Sequence, residues 1–462
     1  MVTFYKKKYT VFVFIALCVS TTQAQTNKYS LTDLVEASKK YLPSLLQKQA
    51  LIGSDQAALT EVRHSFLPRL YVGDEVSIGT DNSMAGSYLP VVIVPSVSAG
   101  VTGANNYQPA TGNIATFYGE YTLLNFGLHN AQINNAMSYV NFGKADFQKE
   151  LYLTKLQICK VYFDLLQNQD RLNVDSQNID RYQNIFKVIH ALTLSGISPG
   201  ADSSLAKAEL SSAKVGYNQT LGKINQLKEQ LAYFTGITSS QLDIDTLTTP
   251  ANINNLVTAD TSMGTVNNPL IDYYARQKDI FLSNENVIIK SYLPKVLLGI
   301  SGFARGSGIQ YNNDYKTLPE GLGYQRLNYV AGVGISYDLF NGMYKRDKLA
   351  INRYQMRASD YALQQQKLSL QSASLQADAA IRTAEANLLE LPIQSKAAMD
   401  VYLQKVAQYK TGLITLIDLT NASFVLYRSQ IDFTEALNDW YTAQLFKAEA
   451  TGNLDSFIQS IK

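Results

Sequence analysis

The chain has 462 residues, with 40 basic and 38 acidic side chains and a formal charge of +2. So balanced a charge is not that of a protein built to coat nucleic acid, which excludes nucleic acid as a partner. The two cysteines, Cys18 and Cys159, offer no disulfide framework once an export signal is removed.

That signal comes first. Lys6-Lys7-Lys8 precede an apolar run from Val11 to Val19 and then Thr22-Gln23-Ala24, the charged, apolar and small-residue regions of a secretory signal peptide. Cleavage is expected after Ala24, giving a signal peptide at 1–24 and turning the formal +2 into −1 through loss of the three lysines. A lipidated Cys18 is the rival reading, against which Leu17 stands in a place where such signals want a small residue. Cys159, among Ile158, Val161 and Tyr162, reads as a small core residue.

Ser30-Leu31-Thr32-Asp33 opens a helix with a capping box, predicted to run to about His64. Pro68 ends that register, and Leu70, Val72, Val76 and Ile78 follow with strand spacing. A Gly-, Ser-, Asn- and Pro-rich loop occupies about Gly79 to Gly112 and includes the apolar segment Leu89–Pro95, for which the sequence offers no role. A second strand is expected from Ala115 to Asn125. Leu128 to Ser195 then contains no proline, which allows ~100 Å of helix at about 1.5 Å per residue. A return helix marked by Leu210, Ala213, Tyr217, Ile224 and Leu231 ends near Gly236. The stretch 237–268, with Thr248-Thr249-Pro250 and several Asn, reads as irregular and is expected to pack at mid-height.

The order of landmarks then starts again. Ser65-Phe66-Leu67-Pro68-Arg69 returns as Ser291-Tyr292-Leu293-Pro294-Lys295, 226 residues on, and Pro43 returns as Pro269. Tyr121-Thr122-Leu123-Leu124-Asn125 returns as Tyr337-Asp338-Leu339-Phe340-Asn341, and Ser195-Gly196-Ile197 as Thr411-Gly412-Leu413, both at offset 216. One structural unit used twice is the reading, with repeats at 25–236 and 269–452 and a tail at 453–462. In the second repeat, strands are predicted at Val296–Phe303 and Asn328–Phe340 around a loop at 306–323. Tyr329, Ala331, Val333, Ile335, Tyr337 and Leu339 share one face, and the other is small or polar, the alternation of a lipid-facing barrel strand over a wet lumen. Tyr344 to Thr411 matches the long helix of the first repeat, with Pro392 expected to kink it. Phe424 to Leu445 marks its return, ending near Gly452.

No segment of the mature chain has the ~20 apolar residues of a membrane helix, so membrane insertion requires a closed barrel. The four predicted strands fall short of the ~8 of the smallest barrels, and helices this long need partners alongside. A cyclic oligomer follows: two copies give ~8 strands and three give ~12. The fold class is mixed α and β, a barrel continuous with a long coiled-coil tunnel.

Taken with Leu31-Thr32-Asp33-Leu34, Asn125-Phe126-Gly127 and Asn341-Gly342, the duplicated Leu-Pro and Ser/Thr-Gly motifs resemble the TolC family of outer-membrane efflux and secretion channels over essentially the whole mature length. The resemblance implies a homotrimer with ~12 barrel strands in outer-membrane lipid and a periplasmic tunnel of ~12 helices. It implies the passive exit duct of a tripartite efflux or type I secretion system in a Gram-negative-type envelope. Its partners would be a periplasmic adaptor and, through it, an inner-membrane transporter of RND, ABC or MFS type. No cofactor and no enzyme activity are implied, and the sequence holds no catalytic constellation: His64, His129 and His190 lie far apart. A periplasmic coiled-coil scaffold or adaptor without a barrel is the alternative; it has no use for two alternating hairpins.

The sharpest site expectation is the tunnel tip. Asp202 and Asp418 each lie six residues past a turn glycine. In a trimer each forms a ring of three carboxylates, which attracts cations and repels anions. Against the family pattern, Tyr409 and Asp418 fit the aperture, Asn421 stands where a second aspartate is usual, and Ile414 where an arginine can occur. Helix N-terminal aspartates favoured by the macrodipole are the plainer reading of Asp202 and Asp418. The turns Ser195-Gly196-Ile197 and Thr411-Gly412-Leu413 are the candidate adaptor-docking tips, against which stands ordinary turn packing.

Overall fold

The computed structural model describes residues 28–84, 100–244, 268–311 and 313–461. The signal peptide with Cys18, the segment Leu89–Pro95 and residues 245–267 lie outside them.

A two-residue strand β1 (Lys28–Tyr29) leads into α1 (Leu31–Tyr41). The Ser30 hydroxyl accepts the Asp33 N–H, and the Asp33 carboxylate accepts the Ser30 N–H at 3.1 Å, closing the capping box. The single helix predicted from Ser30 to His64 is in fact two, because α2 (Pro43–His64) starts afresh at a proline. Leu42 before it is extended, at φ −67° and ψ 118°, since a residue preceding proline is driven out of the helical region.

Strands β2 (Arg69–Gly79), β3 (Ser83–Met84), β4 (Gly100–Val101) and β5 (Ala110–Leu124) follow. Next come α3 (Leu128–Leu194), α4 (Gly200–Thr235), a short β6 (Asp243–Ile244) and α5 (Pro269–Ser291). The chain then forms β7 (Lys295–Ser307), a 3-10 turn at Leu318–Leu322 and β8 (Arg326–Ser336). It ends with α6 (Asn341–Lys410), α7 (Leu416–Thr451) and α8 (Leu454–Ser460). With 67 and 70 residues, α3 and α6 are each ~100 Å long.

Two expectations change here. Strand β5 begins at Ala110 and β7 extends to Ser307, so both hairpin loops are shorter at their bases than predicted. Strand β8 stops at Ser336, leaving Tyr337 and Leu339 beyond it. Pro392 sits inside α6 without ending it.

Strands β2, β5, β7 and β8 form one antiparallel sheet in that order. Because directly opposed residues share a face, the register defines two surfaces. One carries the rows Leu70–Gly119–Ile300–Ala331 and Val72–Phe117–Gly302–Tyr329 and is apolar. The other carries Arg69–Glu120–Gly299–Gly332 and Gly73–Thr116–Phe303–Asn328 and is largely polar. Every residue of the outer strands β2 and β8 is exposed, Tyr329 at 92%.

The helical part owns the core. Around the middle of α3, the buried side chains of Leu156, Phe163, Leu231, Trp440 and Leu445 join Leu242 and Ile244 of the β6 region and Leu454 and Ile458 of α8. The ring of Phe163 stacks on Tyr441 at 5.1 Å, and Phe457 meets it edge-on. The tail thus contains a helix seated in the core, with Leu454 and Ile458 of α8 and, just past its end, Ile461 buried. Cys159 is fully buried, which pushes its thiol up to about 12 and leaves it unreactive.

Candidate functional site at the helical tip

The far ends of the long helices, away from the sheet, carry two matching turns. At the end of α3 the Ile197 N–H reaches the Leu192 carbonyl at 2.9 Å, and the Gly196 N–H reaches that of Thr193 at 3.0 Å. At the end of α6 the Leu413 N–H reaches Gln408 at 2.9 Å and the Gly412 N–H reaches Tyr409 at 3.0 Å. Both are Schellman motifs. Gly196 and Gly412 sit at φ +72° and +74°, where a side chain is strained, so the glycines permit the turn. Such motifs usually tuck the residue after the glycine against the helix. Here Ile197 and Leu413 remain 72% and 75% exposed.

Behind the turns a second apolar cluster holds the two helix pairs together. Tyr182, Ile185 and Ile189 of α3, Leu210 of α4, and Leu416 and Leu419 of α7 are buried in it, with Tyr409 and Ile414 packed against them. The structure brings Tyr409 and Asp202 together across this junction. Burial, and after it the Asp202 carboxylate, raises the Tyr409 phenol above its ordinary range, with a hydrogen bond to Ser198 opposing. Tyr409 therefore stays neutral. Asp202 lies in the first turn of α4, with no side-chain cap bond at that terminus.

Asp418 is placed differently. It is the third residue of α7, whose N-cap is Thr415. The Asp418 N–H donates to Thr415 Oγ1 at 3.3 Å, while Asp418 Oδ2 accepts the Thr415 hydroxyl at 2.7 Å and its N–H at 3.0 Å. This is a full capping box. The Thr415 hydroxyl, then its backbone N–H, with Lys405 a lesser contributor, holds the carboxyl below its ordinary value. Asp418 and Asn421 also line an open groove of about 530 Å³ between α6 and α7, together with Gln394, Val401, Lys405 and Val425. Asp202 is not among the groove's residues, so the two aspartates occupy different surfaces of one chain.

One buried group between the core and the tip has no signature in the sequence. Asp175 of α3 is 2% exposed and accepts hydrogen bonds from Thr220 of α4 at 2.6 Å and Tyr427 of α7 at 2.7 Å. Burial, followed by the bond to Asp175, pushes the Tyr427 phenol up to about 12. These bonds tie three helices together where their apolar faces alone leave the register free. Among the described residues no group of three His, Cys, Asp or Glu is placed to hold a metal, and no helix is long and apolar enough to cross a membrane.

A short sheet standing on helices of this length, returned through paired glycine turns, is the fold of outer-membrane channels. The channel OprN matches with a TM-score of 0.72 at 18% identity, over 91% of this chain and 89% of its own. VceC of Vibrio cholerae matches at 0.73 and 14%, over 91% and 96%. CmeC of Campylobacter jejuni matches at 0.72 and 12%, over 100% and 98%. A comparison with curated proteins by sequence gives no match. Residues 299–453, from within β7 to just past the end of α7, match the family model described as outer membrane efflux protein. The chain is thus TolC-like in fold and carries an outer membrane efflux protein region in its second half.

Proposed function

We infer that the protein is the outer-membrane exit duct of a tripartite efflux or type I secretion system. It lets substrate pass, without chemistry, from a periplasmic entrance to the outside. The observation that carries this reading is the four-stranded sheet. It is apolar on one face and largely polar on the other, its two outer strands have no partner along their free edges among the described residues, and it continues directly into helices ~100 Å long. A sheet edge cannot lie open in lipid, because its N–H and C=O groups would have no partners there. Copies of β2 and β8 from neighbouring chains satisfy each other when the sheet closes, and three copies give ~12 strands, a common size for such barrels. The two halves of the chain, each with a hairpin and a long helix pair, then act as an internal repeat. A barrel-less periplasmic scaffold leaves that sheet without a purpose.

In this reading the tip is the periplasmic mouth. Asp418, with Oδ2 committed to its cap, contributes one carboxylate ring, and Asn421 lines the same mouth without charge. Asp202 and Tyr409 latch the two helix pairs, and Ile414 stands where an arginine can occur in the family. The exposed Ile197 and Leu413, at the turns that begin with Ser195 and Thr411, dock the hairpin tips of a periplasmic adaptor, which links the duct to an inner-membrane transporter.

The test is detergent extraction of the mature protein from outer-membrane fractions, followed by single-particle electron microscopy. A three-fold tube longer than ~100 Å with a short barrel at one end is the expected result. A monomer or elongated dimer that osmotic shock releases without detergent transfers the reading to the scaffold.

A further inference from the structure

The polar face of the sheet has one cross-strand row that its fold does not need. Glu75, Ile114, Arg305 and Arg326 lie side by side on β2, β5, β7 and β8. Directly opposed residues on antiparallel strands have Cβ atoms about 5 Å apart, and like charges there are destabilising. Arg305 and Arg326 are such a pair, both are exposed, and among the described residues neither has a carboxylate within ion-pair distance. The nearby acids are engaged elsewhere. Asp74 is on the apolar face and accepts from the Tyr324 hydroxyl at 2.9 Å, Glu320 accepts from Thr317 at 2.9 Å, and Asp314 pairs with Lys316 at 2.6 Å. Glu75 shares the row but stands two strands from Arg305, with Ile114 between them.

The row is also held firmly. It sits at the sheet end remote from the helices, where the β7–β8 loop folds back over the opposite face, the one that carries Thr111 and Asn113. The Gln325 N–H donates to the Arg305 carbonyl at 2.9 Å, and the Gln325 side chain reaches the Glu320 carbonyl at 2.9 Å. Thr111 Oγ1 donates to Leu318 O, and Asn113 donates to Leu322 O at 2.9 Å. A Cβ at Gly321 would collide with Thr111, so the close approach requires glycine.

We propose that Arg305 and Arg326 form an anion-favouring ring at the outer end of the duct, a site for small organic or inorganic anions on their way out. The proposal rests on the duct reading, which turns the polar face into the lumen. Closing the sheet gathers one such pair from each copy around a narrow water column, where converging positive charge concentrates anions and excludes cations.

The test is ion selectivity of the full mature protein in planar bilayers under a potassium chloride gradient, comparing wild type with the double variants Arg305→Gln/Arg326→Gln and Arg305→Lys/Arg326→Lys. The glutamine variant is expected to raise the potassium-to-chloride permeability ratio by about twofold or more, and the lysine variant to keep the wild-type ratio. The difference should fade in 1 M salt, where screening acts within about 3 Å. An unchanged ratio in the glutamine variant, at wild-type conductance, overturns the proposal; that is the result if Glu75 of a neighbouring copy already neutralises the pair. Should the glutamine variant fail to assemble, Arg326→Cys replaces it, with Cys159 buried and silent. Modification by an anionic and by a cationic thiosulfonate should then move the ratio in opposite directions, and equal ratios reject the ring. If the wild type forms no pore, the duct reading falls, and the ring with it.

Discussion

The helical part and the sheet of this chain are stabilised in different ways. The helical part buries Trp440, Phe163 and 23 other side chains in a core that one copy completes by itself. The sheet leaves Val72, Tyr329 and Val333 between 64% and 92% exposed, and its outer strands bury nothing. A surface that apolar, in a chain with a good core elsewhere, belongs against something. The lesson is that the helices specify the shape of the chain from their own core, whereas the sheet, in the duct reading, draws its stability from lipid and from other copies.

The largest effect follows from truncating the core at its largest fully buried side chain. Trp440, 1% exposed and edge-on to Tyr441, should cost about 3–5 kcal/mol as Trp440→Ala. Urea unfolding of the detergent-extracted protein, followed by helical ellipticity, measures it. The matched change Tyr329→Ala, at a far more exposed aromatic ring, should leave that transition in place. If the two variants unfold alike, the sheet and helices share one cooperative unit and are not stabilised separately.

A smaller effect separates the two faces of the sheet. Val333 shares the apolar face with Leu298 and Tyr121, while Val330 lies on the polar face opposite Ser301. An arginine on a lipid-facing position costs about 2–4 kcal/mol near the bilayer midplane, and much less in a wet lumen. Val333→Arg should therefore reduce the fraction of protein that assembles in lipid vesicles, and Val330→Arg should not. Equal losses would mean that the assignment of faces is wrong.

Sequence and structure agree where the physics is local. The long helices follow from proline-free runs, the tip turns from Gly196 and Gly412, and the strands from their alternation. The departures are also instructive. Leu42-Pro43 carries its own break signal, which a continuous apolar pattern on both sides masks. Pro392 lies inside α6, which runs on past it while Ala384 and Leu388 are anchored in the core. The spacing of Leu454, Ile458 and Ile461 is that of a helix face, too short to stand out without the core it fills. The buried Asp175 is invisible in sequence because Thr220 and Tyr427, which satisfy it, are 45 and 252 residues away.

Asp418 brings the comparison to the tip, where the smallest effect is expected and two roles compete at one carboxylate. As the cap of α7, it is ionised more readily in the folded chain because Thr415 donates to it. The sign follows from that depression: its contribution to stability is present above the ordinary carboxylate value and is lost as pH falls through the lowered folded value. As part of a mouth, its charge should favour cations whether or not the cap is intact. Thr415→Ala and Asp418→Ala distinguish the two in planar bilayers, since the first removes the cap partner and keeps the charge. Loss of cation selectivity in Asp418→Ala alone assigns the charge to the aperture. Equal changes in both variants trace the effect to the start of α7 rather than to the carboxylate. Unchanged conductance and selectivity in Asp418→Ala leave the residue as a helix cap, and the negative end of the duct would then have to be sought at Asp202.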